Sequence, residues 1–253
     1  MNSQLNMHFY LIFLSLVLAL GCTERRNASG KQDDKNDWPA QLKASEDLAN
    51  NLDDARALND EYKALAASLA KRDKERKLQK KNDDSTFVKV RGMKDALRNK
   101  QDDDLDGNLT KFKAWAKQGK WRQFSKHKHH YDWWMFPINR DSAGQGKKYT
   151  VYEEEIKALK QDEAWLKDYR LGAILVMQSW GWDVAKERLF DFPTKDQKWD
   201  DWEVRLGKMA NSLLLFEQWD LHKSLRGYVK HLKKKGINLN ENYHPYFPNV
   251  YKK

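Results

Sequence analysis

The 253-residue chain has one cysteine, five prolines and twelve glycines. A single thiol excludes a disulfide-stapled fold, and so little glycine and proline excludes collagen-like and low-complexity classes. Long hydrophobic runs are also scarce. The one clear run, Tyr10 to Leu20 (YLIFLSLVLAL), is eleven residues broken by Ser15. At about 1.5 Å of rise per residue it cannot cross a bilayer core roughly 30 Å thick. No Gly-x-Ser-x-Gly elbow occurs and the only cysteine lies near the start, so nucleophilic catalysis has little support. What the chain does have is 11 Trp, 10 Tyr and 10 Phe. That is too many aromatics for a disordered polymer, despite a mean hydropathy of −0.95. The length suffices for a sizeable core.

The short apolar run has the length of a signal-peptide hydrophobic region. It ends in Ala19-Leu20-Gly21-Cys22, which resembles a bacterial lipobox. Residues 1–21 are therefore expected to be a lipoprotein-like signal peptide. Cleavage before Cys22 would leave its thiol to carry a lipid anchor, which accounts for an exported chain with one unpaired cysteine. Two acyl chains there give stable membrane attachment, and Thr23 after the cysteine points to the outer membrane or cell surface. An ordinary cleaved signal and an uncleaved anchor are the alternatives.

Residues 22–37 are almost devoid of apolar side chains and read as a flexible tether. Trp38-Pro39 opens a helical region over 38–84, a stalk or a packed helix. Leu48, Ala55, Tyr62 and Leu69 fall seven apart, with Leu52, Asn59 and Ala66 between them, the spacing of a short, weak coiled coil; the alternative is one amphipathic helix packed on the main domain. A linker follows over 85–104. Charge is uneven along the chain: residues 1–104 carry 19 basic and 18 acidic groups, residues 105–253 carry 28 and 19, and ten of the tryptophans lie in the second part. The folded domain is placed at 105–253.

Leu109, Phe112, Trp115 and Ala116 have helical spacing, predicting a helix over 108–117. Thr150 and Glu153 match a capping box that opens a helix or kinked pair ending near Gly181. Leu206 and Met209 anchor another helix, and Leu215 to Leu232 mark the last, closed by Lys233-Lys234-Lys235-Gly236. No strongly alternating strand pattern is present. The expected fold class is mainly α.

The middle of this region reads His127-Lys-His129-His-Tyr131-Asp-Trp-Trp134-Met-Phe136-Pro137. The pattern, with the Asp106-Gly107 and Leu109–Trp115 elements before it and the Thr150 and Tyr169–Trp180 helices after it, resembles the conserved N-terminal domain of the opioid growth factor receptor family over roughly 105–235. The resemblance implies a non-enzymatic, membrane-associated receptor for a peptide, with His127, His129, Tyr131, Trp134, Phe136 and Pro137 as structural or binding residues. The family's long C-terminal repeats are absent from this chain.

Other constellations are weaker. His127, His129, His130 and Asp132 lack a second ligand cluster at metal spacing. Asp102, Asp104, Asp106 and Gly107 match half a calcium loop, but Lys113 stands where a bidentate Glu belongs. Gly144-Gln-Gly146-Lys147-Lys148 has the wrong spacing for a phosphate loop. No metal or other cofactor is therefore expected. An exported basic domain meets anionic lipid or wall polymer rather than nucleic acid. The leading expectation is a non-enzymatic, membrane-anchored binding or receptor-like domain whose ligand is a peptide, a protein or an anionic envelope component. The alternative is a structural envelope scaffold oligomerising through the Leu48–Leu69 heptads.

Overall fold

Helix α4 (Glu163–Ser179) is the element around which the others are laid. The computed structural model describes residues 37–52, 62–65, 67–69, 108–126, 129–141 and 146–251. The signal peptide, Cys22, nearly all of the tether, the 85–104 linker, Asp102 to Gly107, His127 and Gly144 lie outside the described residues. Every residue of α4 from Tyr169 to Ser179 is buried, the signature of a helix enclosed on all sides. Asp162 caps its start, accepting from the Trp165 N–H at 2.8 Å. Gly181 ends it at φ +83°, where a Cβ would stand 2.9 Å from the Gln197 carbonyl oxygen; only glycine fits this left-handed position.

Packed most extensively on α4 are the helices α1 (Trp38–Asn50), α2 (Leu109–Lys117), α3 (Glu153–Lys160) and α6 (Trp219–Lys234). So does a two-stranded hairpin, β1 (Trp182–Asp183) and β2 (Arg188–Leu189), with Trp182 opposite Leu189. Helix α5 (Glu203–Leu215) packs on α6. The tail then folds back through a 3₁₀ segment, Glu241–Tyr246, and α7 (Pro248–Tyr251) onto α5 and α6. Tyr243 lies directly over Gly207, leaving no room for a Cβ. The architecture is mainly α, as the periodicity predicts.

Helix α1 belongs to this body, which begins at Trp38 rather than at 105. It turns Leu42, Ser45 and Ala49 inward, and the small Ser45 and Ala49 let its backbone approach α4 closely. Leu52, Tyr62 and Leu69 join the same core, so these heptad positions face inward instead of lining a seam for a second chain. Ala55, Asn59 and Ala66 lie outside the described residues.

Arg170, fully buried on α4, fastens α1 in place. Its Nε donates to the Ala49 carbonyl at 3.0 Å and one terminal nitrogen donates to the Leu48 carbonyl at 3.2 Å. The guanidinium also bonds Gln218 and both oxygens of Asp220. A cation thus bonds the last carbonyls of α1, while Asp220 sits in the first turn of α6, each charge at the helix end that favours it.

The start of α3 differs from the predicted register. Tyr152, not Thr150, occupies the N-cap, and its N–H donates to Glu155 Oε2 at 2.7 Å. The Thr150 hydroxyl is engaged with Asp141 Oδ1 at 3.0 Å instead.

Candidate binding site

The histidine–aromatic motif builds core, not surface. Tyr131 and Phe136 are fully buried, Trp134 is 1% exposed and His129 3% exposed; Pro137 is buried as well. Tyr131 meets Phe112 edge-on at 4.9 Å, Phe136 meets Tyr169 at 6.2 Å and Trp134 lies against Tyr149 at 5.9 Å. Burial holds the Tyr131 phenol well above its usual range. His130 takes a left-handed φ of 43°, which histidine tolerates better than most residues, and stacks on Trp133 at 4.2 Å. His129 lies against Trp115 instead, at 4.9 Å, so the two rings part company. Among the described residues no group of three His, Cys, Asp or Glu side chains converges on a metal position.

Two basic residues of α5 brace this loop. Arg205 donates to the Phe124 carbonyl at 2.8 Å and the Lys126 carbonyl at 3.0 Å, with its guanidinium 4.5 Å from the Tyr131 ring. Lys208 pairs with the buried Asp132 at 2.7 Å. The described part of the motif is consequently tied on several sides.

Open surface lies instead at either side of the end of α4. One depression, of about 310 Å³, is a groove between α1, α4 and the hairpin. Leu48, Ile174, Val184 and Phe190 give it apolar walls, with Gln41, Gln178, Asp183 and Lys186 as polar members. Gln178 donates to Ser45 Oγ at 2.7 Å and so keeps its carbonyl oxygen as an acceptor. Asp183 and Lys186 pair with each other at 3.3 Å. Ala44, exposed on α1, borders the groove.

The other depression, also about 310 Å³, is a polar cleft lined by Trp121, Arg122, Ser125, Ser179, Asp196, Lys198 and Asp200. Burial pushes the Asp200 carboxyl up to about 6, against the opposing pull of Arg205 and the Trp202 N–H. Its two hydroxyls are turned to their own backbone, Ser125 donating to the Arg122 carbonyl at 2.9 Å and Ser179 to the Val176 carbonyl at 2.6 Å. The cleft therefore holds one perturbed acid beside two hydroxyls that already donate to backbone carbonyls.

Periodicity and motif reading found neither depression. Asp200 had a signal, however: in Lys198-Trp-Asp-Asp-Trp202, acids flanked by tryptophans are candidates for burial. Arg170, one charge inside an apolar stretch, likewise demanded a partner. Among the described residues no helix is long and apolar enough to cross a membrane. The chain matches no protein-family model, no curated protein and no solved structure.

Proposed function

We propose that this chain is a non-enzymatic binding domain, exported and held at a membrane through Cys22, that captures an extended peptide segment in the groove between α1, α4 and the hairpin. The observation that carries the reading is the groove's mixed lining. Leu48, Ile174, Val184 and Phe190 offer apolar pockets, while the Gln178 side-chain oxygen offers an acceptor to a peptide main chain. Alternating side chains and free backbone groups are what an extended peptide presents. The resemblance of His127 to Pro137 to the opioid growth factor receptor motif supports the same class, with those residues acting as scaffold for the domain.

The test is retention of a displayed random-peptide library by the soluble chain, comparing wild type with Ala44→Trp, which fills the groove from an exposed position without disturbing the core. Enrichment on wild type that disappears in the variant supports the reading. Equal enrichment on both removes the groove from it.

A further inference from the structure

The polar cleft is a second, separate place on the molecule, and its contents are unusual. Arg122 and Lys198 are both exposed, and among the described residues neither pairs with a carboxylate. Trp121, 2% exposed, lines the same cleft and its indole N–H finds no acceptor among the described residues. A buried N–H left without a partner costs free energy, and a ligand oxygen would relieve that cost. Two cations and one orphan donor thus line one cleft.

Asp196 and Asp200 oppose those cations. With both ionised, the four charged groups of the cleft cancel; with Asp200 protonated, they leave a net charge of +1. The charged groups that act on Asp200 are Arg205 of α5 and the neighbouring Asp201, and Arg122, Asp196 and Lys198 line the same cleft. The buried phenols of Tyr131 and Tyr228 interact with it from the 131–133 turn and from α6.

We propose that this cleft binds the oxyanion group of a small polar ligand on Arg122 and Lys198, and that protonation of Asp200 admits it. Mild acid strengthens binding by removing the repelling carboxylate, and neutral pH releases the ligand. The site does not depend on the peptide groove and stands or falls separately from it.

Inorganic sulfate is the probe of choice, because it keeps its double charge across the working range and any pH dependence belongs to the protein. Sulfate binding to the full chain is measured by calorimetry at pH 5 and pH 7.5 with ionic strength held constant by chloride, and acetate serves as the planar, singly charged comparison. For an acceptor competent only when Asp200 is protonated near pH 6, affinity at pH 5 exceeds that at pH 7.5 by up to roughly thirtyfold. Asp200→Asn is expected to bind at pH 7.5 as tightly as wild type does at pH 5, with no remaining pH dependence. Arg122→Gln combined with Lys198→Gln, both at exposed positions, is expected to abolish binding at both pH values while the thermal unfolding midpoint stays unchanged. Tighter sulfate than acetate binding marks a tetrahedral dianion such as a phosphate or sulfate ester; the reverse order marks a carboxylate. Absence of saturable binding of either anion, equal sulfate affinity at the two pH values, or binding that survives the double substitution would overturn the proposal.

Discussion

Arg170 and Asp220, fifty residues apart in sequence, form a two-pronged ion pair at 2.9 and 2.7 Å, with the arginine fully buried. The remaining donors of the guanidinium hold the last carbonyls of α1. One side chain therefore links the first and last long helices through the central one.

Arg170→Met removes the buried donor to Asp220 and to the Ala49 and Leu48 carbonyls. Removing one member of a buried pair costs about 3–5 kcal/mol, and urea unfolding monitored by tryptophan fluorescence should show a loss of that order. Limited proteolysis should cut α1 first, because it loses its clamp.

Trp134→Ala and Phe136→Ala should each cost about 3–5 kcal/mol, as large-to-small changes in a packed core do. The same unfolding experiment checks this. Near-wild-type stability in either variant would make these residues surface rather than core.

Gly119 sits at φ +64°, and a Cβ there would lie 2.5 Å from the Trp38 indole nitrogen. Gly119→Ala should lower stability by about 1–2 kcal/mol from the left-handed backbone alone, with a further loss as Trp38 is displaced. Trp38 packs edge-on against Trp121 at 5.4 Å, so an altered near-ultraviolet dichroism spectrum is expected as well.

A buried group and a half-buried one should tilt stability against pH in opposite senses. His222, enclosed by Tyr62 and Phe247, is lowered to about 3 by burial and by Arg226. It stays neutral in the fold while the unfolded chain takes up a proton below its ordinary 6.5. Its contribution is complete above pH 6.5 and is lost as pH falls toward 3, with a slope of at most about 1.4 kcal/mol per pH unit. His222→Phe should flatten that limb. Asp200, raised to about 6 from 3.8, contributes most below pH 3.8, and the contribution is lost as pH rises through 6. Asp200→Asn should therefore be more stable than wild type at neutral pH. Urea midpoints from pH 3 to 8 read both slopes.

If Cys22 carries an anchor, mass spectrometry of the membrane fraction should find a mature N-terminus at a lipidated Cys22, and Cys22→Ser should remove that species. An uncleaved chain or an unmodified thiol would remove the anchored part of the proposal.

Helix positions were legible where local chemistry settles them. Asn108 caps α2 through the Lys111 N–H at 2.9 Å, and Gly181 and Gly236 take the positive φ expected after a helix. The register of α3 was not, because three successive glutamates let both Thr150–Glu153 and Tyr152–Glu155 satisfy the capping spacing. A contact with Asp141, nine residues away, decides between them. The packing of α1 was half legible: the inward row contains Ser45 and Ala49, small residues that a search for large apolar positions passes over. The two depressions were hidden because each joins segments far apart in sequence, and no spacing along the chain brings Arg122 to Asp200 or Leu48 to Phe190.

The most direct measurement is photo-crosslinking in intact cells from a photoreactive residue placed at Ala44, bordering the groove, and at exposed Lys234 as the control. The account predicts a covalent peptide or protein adduct from position 44 and none from position 234. No adduct from position 44, or equal adducts from both, would contradict it.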